Sequence, residues 1–145
     1  MVAISDPHGT NGTDPSYAGA RQDISVVGGA TAVTEKMAVA LVMASDGVMT
    51  VVPYDLDTHA TGYPMGVALE DIAVGGVGQV CVGGPVIVNT PATGPSVGEY
   101  VIGTTTAGTA DGVAADATTV VGTTHGSFLT DEIGTSNTAW AWISN

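Results

Sequence analysis

Short apolar runs separated by glycine-rich turns form the dominant pattern of the chain after Lys36. Their length and their content of β-branched residues predict strands rather than helices. The Ser45-Asp46-Gly47 segment between two of these runs is typical of a hairpin turn, because glycine accepts the positive φ that such turns require. The predicted strands are Met37–Met43, Val48–Val52, Met65–Glu70, Val77–Val82, Pro85–Asn89, Glu99–Thr104, Thr118–Thr123, Ser127–Thr130 and Thr138–Ile143.

The links between these strands are short, so they leave little room for helical crossovers and favour antiparallel pairing. Gly75-Gly76 and Gly83-Gly84 are predicted turns, and Thr90–Ser96 is a predicted loop because it contains two prolines. The Ala/Gly/Thr-rich stretch Thr105–Asp116 is a predicted long exposed loop. The predicted fold class is therefore all-β, a small antiparallel β-barrel or sandwich with an extended N-terminal arm.

The predicted arm covers residues 1–35, and the predicted barrel or sandwich domain covers residues 36–145. The stretch Ser5–Pro15 combines turn-forming residues without any apolar period. One interpretation is a disordered tail without a function. The other is an arm that becomes ordered against a neighbouring subunit, and its candidate contact residues are Tyr17, Ile24, Val26 and Val27.

The charge balance excludes two classes of partner. Fourteen acidic residues oppose two basic ones, which gives a formal net charge of -12. Binding to a nucleic-acid backbone or to an anionic membrane surface needs clustered Lys or Arg, so neither partner is expected. The acidity is interpreted as a solvated surface, or alternatively as the complement of a basic protein face. Aromatic residues make up only 5% of the chain, so oligomerisation is expected to add stability.

The sequence also bears on targeting and on the role of cysteine. The N-terminus lacks the features of a signal peptide, and the longest apolar run, Met37–Ala44, is too short to span a bilayer. Cys81 is the one cysteine, so an internal disulfide and a thiolate metal cluster are excluded. Its position between Val80 and Val82 predicts a buried, unreactive thiol.

No arrangement of residues in the sequence has the spacing of an active site or a metal site. His8, His59 and His125 are far apart, and Asp55-Leu56-Asp57 lacks the calcium-loop pattern. The pairs Glu70-Asp71 and Asp131-Glu132 are interpreted as charged strand ends. A catalytic group of His59, Asp55 or Asp57 and Ser127 is a weak alternative because Ser127 lacks a nucleophile elbow. A protein that is not an enzyme, without cofactor or metal, is expected.

The central stretch Met65–Gly84 runs through G-V-A-L-E, small residues, G-G and then V-x-V-x-G. This progression resembles the capsid decoration or cement proteins of tailed bacteriophages. The segments Gly98-Glu99-Tyr100-Val101 and Val120-Val121-Gly122 are similar to later parts of the same family. The resemblance covers about half of the chain, from Met37 to Thr123.

The resemblance implies a structural protein on the outer surface of an icosahedral phage head. Its implied partner is the major capsid protein, and its implied oligomeric state is a homotrimer, with a dimer as the alternative. No position known to contact the capsid can be matched. The alternative function is a receptor- or glycan-binding fibre or surface domain, in which Tyr54, Tyr63 or Trp142 stacks on a sugar. A third hypothesis is a hydrolase built around His59.

Overall fold

The computed structural model describes residues 21–60, 62–114, 123–133 and 136–145, and their fold is almost entirely β. The all-β prediction is confirmed. One four-residue helix, α1 (Leu56–His59), interrupts the strands, and no helix in the described ranges is long and apolar enough to cross a membrane. The strands are β1 Gln22–Gly28, β2 Ala38–Met43, β3 Met49–Pro53, β4 Met65–Ala68, β5 Val77–Asn89, β6 Tyr100–Gly103, β7 Ala110–Val113, β8 Gly126–Phe128 and β9 Thr138–Ile143.

Five of these strands form a closed barrel in the order β1-β3-β2-β4-β5, because β5 also pairs with β1. The pairing of β1 with β3 is parallel, and the other pairings of the barrel are antiparallel. Closure leaves none of the five strands with an open edge. The predicted barrel is therefore present and, as predicted, mostly antiparallel.

The barrel interior is filled by aliphatic side chains that follow the two-residue period of its strands. In β2, Val39 and Leu41 point into the barrel, whereas Ala38 and Ala40 point to the outer face of its wall. The buried interior residues are Val26, Val33, Val39, Leu41, Val51, Ala68, Ile72 and Val80. We refer to this group as the barrel core.

The long strand β5 belongs to two sheets. Its first half pairs with β1 and β4, and its second half, from Gly84, pairs with β9. Val80 lies in the barrel core, but Val86 lies on the other side of the wall, so the alternation changes face between them. Gly84 has a φ of +90°, which a glycine adopts without strain. The predicted turn at Gly83-Gly84 is thus a change of direction inside one strand.

The second sheet has the order β5-β9-β8-β6-β7 and packs against the outer face of the barrel wall. The alanines of β2 are small enough to let it approach closely. The buried residues between the two layers form the interlayer core, which consists of Ala38, Ala40, Tyr54, Met65, Val67, Cys81, Val86, Val88, Val101, Ala110, Phe128, Ala139, Ala141 and Ile143.

Two strands of the structure lie in segments that were predicted to be irregular. Residues 22–28, assigned to the arm, form β1, so the predicted boundary at residue 35 falls inside the barrel. The stretch Thr105–Asp116, predicted as a loop, contains β7, which pairs with β6 over four residues. The sequence pattern did not predict β7, because Ala110 and Gly112 have low β propensity. The rest of the arm and most of the predicted strand Thr118–Thr123 lie outside the described residues.

Candidate interaction surfaces

Three of the four candidate arm contacts lie in β1, within the domain itself. Val26 is buried in the barrel core, and Ile24 packs against that core while being partly exposed. Val27 pairs with Thr50 of β3 and with Val77 of β5. Their predicted contact with a partner stays a prediction, but Val26 has no exposed surface to contribute. The fourth candidate, Tyr17, lies outside the described residues.

A buried polar network connects four parts of the chain beside the interlayer core. The Tyr54 hydroxyl donates to the His59 carbonyl at 2.6 Å and lies 3.2 Å from His125 Nε2. The Asn145 amide donates to the Met65 carbonyl at 2.9 Å and its oxygen accepts from the Met65 N–H at 3.0 Å. His125 Nδ1 lies 2.8 Å from the same amide oxygen, so Nδ1 carries the proton in the neutral ring.

Burial controls the ionisation of this network. Desolvation lowers the pKa of His125 from 6.5, and the hydrogen bond to Asn145 opposes part of that effect. Burial also raises the pKa of Tyr54 above 10.0. Both groups therefore stay neutral at physiological pH. The network joins the end of β3, the strand β4, the segment before β8 and Asn145 after β9. Its hydrogen bonds therefore have a structural role.

Within the described ranges, the side chains of the hypothetical hydrolase centre form no hydrogen bond with one another. His59 Nδ1 accepts a hydrogen bond from the backbone N–H of Asp55 at 3.0 Å, and it is held against the Tyr63 ring, 5.0 Å between centroids. The Asp55 carboxylate instead caps α1 by accepting from the N–H of Asp57. Ser127 lies in the middle of β8. His59 and Asp55 are therefore engaged in local contacts around α1, and Ser127 lies on a different element.

The acidic pairs hold loops together. Asp71 accepts a hydrogen bond from the Glu35 N–H, and Glu70 accepts one from the Gln79 N–H. Asp131 accepts from the Val97 N–H at 2.8 Å. The interpretation of these residues as charged strand ends missed this bracing role. Within the described ranges, no group of three His, Cys, Asp or Glu side chains could hold a metal ion.

Cys81 lies in the interlayer core and is fully buried. Desolvation raises the pKa of its thiol to about 11, and the thiol donates to the Gly83 carbonyl at 3.3 Å. Such a thiol carries almost no thiolate at neutral pH. The prediction of a buried cysteine is confirmed.

Three exposed aliphatic side chains lie on two loops that hydrogen bonds hold together. Val97 is 61% exposed, Leu129 is 42% exposed and Ile133 is 44% exposed. The Gly98 N–H donates to the Phe128 carbonyl, and the Glu132 N–H donates to the Pro95 carbonyl, each at 2.9 Å. We call these three residues the end patch. Exposed apolar side chains on adjoining loops are a feature of protein contact sites.

The three aromatic residues proposed for sugar stacking have different positions. Tyr54 is fully buried in the polar network, so it cannot reach a ligand. Tyr63 is 37% exposed but its ring packs edge-on against His59. Trp142 is 39% exposed on the outer face of the second sheet, in the same row as Ser127 and Tyr100.

The described residues define an all-β protein in which a closed five-stranded barrel carries a second sheet on its wall. This fold is similar to the head fiber gp8.5 N base of bacteriophage phi29, with a TM-score of 0.55 and 18% identity. The likeness covers 86% of this chain and 94% of that chain. At this identity it concerns the fold. No protein family and no curated protein sequence matches the chain.

Proposed function

We propose that this chain is a structural protein of a tailed-phage virion. It binds the outer surface of the head and stabilises contacts between major capsid subunits, as a decoration or cement protein does. The observation that carries the proposal is the fold shared with a head fiber base over most of both chains. The G-V-A-L-E to V-x-V-x-G progression of Met65–Gly84, which resembles decoration proteins, supports the same assignment.

The end patch is the proposed contact with the capsid. Its three aliphatic side chains present apolar surface that a partner would remove from water, which is favourable by about 25 cal/mol per Å². The hydrogen bonds between its loops fix that surface before binding, so little conformational entropy is lost. The high negative charge of the chain would favour a basic region of the shell beside this contact.

A homotrimer is the proposed oligomeric state, and a dimer is the alternative. The physical argument is the sparse supply of aromatic core residues, because a subunit with small cores gains stability from burial against its neighbours. Sedimentation velocity of the protein alone and after binding to heads measures this state directly.

Binding to purified mature heads that lack the protein tests the proposal. We expect the full chain to co-sediment with heads, to raise their temperature of rupture, and to appear as density on the outer surface in a particle reconstruction. The variant Val97→Asp with Leu129→Asp puts two charges into the end patch and should weaken head binding at least tenfold, a change of about 1.4 kcal/mol or more.

The matched control is Val48→Asp, an exposed valine in the β2–β3 hairpin. The hairpin lies at the C-terminal end of β2. The end-patch loops begin near the N-terminal end of the same strand, because the Asn89 N–H donates to the carbonyl of Lys36, which precedes β2. Val48→Asp should bind heads like the original protein. Heads that neither recruit the protein nor gain heat resistance would contradict the proposal, and equal binding by all variants would contradict the assignment of the end patch.

A further inference from the structure

An open cleft of 340 Å³ lies where β1 begins, where β5 changes direction and where β9 ends. Its walls include Gln22, Gly83, Gly84, Trp142 and Ser144. Its volume is within the range of small-molecule sites. The end patch contributes no residue to its lining, so the cleft is a separate feature of the molecule.

Trp142 gives the cleft an exposed aromatic wall. The register of the second sheet places Trp142 opposite Pro85 on one side and Ser127 on the other, and Ser127 in turn pairs with Tyr100. Tyr100 and Trp142 are each 39% exposed on this row. Two strand spacings separate them, about 10 Å, which is close to the length of two sugar rings. Sugar rings present apolar C–H faces that stack on such side chains.

Two polar side chains with unused hydrogen-bonding capacity line the same cleft as Trp142. In the described part of the chain, neither the Gln22 amide nor the Ser144 hydroxyl takes part in a side-chain hydrogen bond, and both line the cleft. The Gln22 side chain lies across Gly83, where an added Cβ would come within 3.0 Å of its Oε1. The absence of a side chain at Gly83 therefore positions this amide. An amide and a hydroxyl beside an aromatic ring match the alternating hydroxyls and C–H faces of a saccharide.

The lack of charged side chains in the cleft favours neutral saccharides over charged ones. None of the side chains that line it is charged, and the nearby Arg21 guanidinium is already paired with Asp23 at 3.1 Å. A phosphorylated or carboxylated ligand would find no free cation here and would face a chain of net charge -12. We infer that the cleft and the adjoining Tyr100–Trp142 row bind a neutral oligosaccharide. This inference does not depend on the proposed role in the virion.

Titration of the full chain with four neutral probes, maltotetraose, cellotetraose, chitotetraose and laminaritetraose, tests the inference by NMR. At least one probe at millimolar concentration should shift the Trp142 indole N–H and the Gln22 side-chain amide signals. Trp142→Ala and Gln22→Ala should each weaken binding about tenfold. Trp142→Phe should retain part of it, because a smaller aromatic face remains. Val77→Ala, an exposed valine at the other end of β5, is the control and should bind normally.

Three results would overturn the inference. One is the absence of any shift at Trp142 and Gln22 with all four probes, whatever else the protein binds. Another is a concentration-dependent self-association that Trp142→Ala abolishes while no probe competes with it, since the cleft would then be occupied by a second copy of the chain. A probe that binds equally well to Trp142→Ala and Gln22→Ala would place its site elsewhere and would also count against the inference.

Discussion

The barrel core and the interlayer core are both closed to water, but they are filled with different side chains. The barrel core contains only Val, Leu, Ile and Ala. The interlayer core contains the two large aromatic side chains Tyr54 and Phe128 among small residues, and the buried imidazole of His125 lies beside it. The side chains of the barrel core thus contribute through dispersion and the hydrophobic effect, whereas the second layer also contains a buried polar network.

This difference predicts which layer responds to a change in pH. Aliphatic burial does not change with pH, so acid and alkali should act on the second layer first. The strand β5 runs through both cores and couples them, because a strand cannot lose its partners on one half without disturbing the other. We therefore expect two cores with different chemistry to unfold as one unit. The following predictions test that expectation.

Truncation of Phe128 should have the largest effect. Its ring is almost completely buried in the interlayer core, and Phe128→Ala should cost about 3–5 kcal/mol of the free energy of unfolding. Ile72→Ala, which makes a cavity in the barrel core, should cost about 2–5 kcal/mol. Urea denaturation followed by circular dichroism measures both.

The two tryptophans make this experiment diagnostic of coupling, because both lie in β9 of the second sheet. If β5 couples the layers, fluorescence and circular dichroism should give the same midpoint in both variants. In Phe128→Ala, a fluorescence transition that precedes the loss of β signal would show that the second sheet unfolds alone.

Removal of the Tyr54 hydroxyl should have the next largest effect. Tyr54→Phe keeps the ring, which packs so closely on Gly103 that an added Cβ there would lie 2.2 Å from the ring carbon Cε1. It leaves the buried His59 carbonyl without the hydroxyl donor, so we expect a loss of about 1–3 kcal/mol. Tyr63→Phe, at an exposed tyrosine, is the control and should change stability by less than about 0.5 kcal/mol. Equal losses of stability in the two variants would contradict a stabilising role for the polar network.

Much of the strand structure in both layers could be predicted from the sequence, because the strands combine β-branched runs with glycine turns. The Asp46-Gly47 turn is present, with φ of +84° at Gly47, and β9 has the predicted bounds Thr138–Ile143. β1 was missed because its pattern, Gln22 to Gly28, follows a long polar stretch and looks like its continuation. Its register is fixed by partners far along the chain, in β3 and β5, which local patterns do not reveal.

The candidate surfaces were harder to predict, for the same reason. Trp142 is exposed, as sugar stacking requires, but Tyr54, which was grouped with it, is buried, since nothing local distinguishes a buried from an exposed tyrosine. The polar network joins residues that are up to 80 positions apart. The cleft depends on the corner at Gly83-Gly84, which the sequence indicated as an ordinary turn. Long-range closure, rather than local propensity, creates both features.

Acidification should reduce stability through His125. Its pKa is lowered in the folded state from 6.5, so the folded chain binds fewer protons than the unfolded chain below that pH. The contribution is therefore complete above pH 6.5 and is lost as the pH falls from 6.5 through the lower folded value. NMR titration of the His125 ring should give a midpoint below 6.5, and denaturation at several pH values should show the loss. A midpoint at or above 6.5 would contradict the assignment of a desolvated neutral ring.

Thiol labelling of Cys81 should have the smallest effect in the native protein and gives the finest test of coupling. The thiol is buried between the layers and its pKa is raised to about 11, so an aromatic disulfide reagent at pH 8 should label it only when the layers open. Labelling should then require global unfolding, and its rate should rise with the loss of stability in Phe128→Ala and Ile72→Ala alike. Faster labelling of Phe128→Ala than of an equally destabilised Ile72→Ala would mean that the second sheet lifts from an intact barrel, and the two cores would then be separate cooperative units.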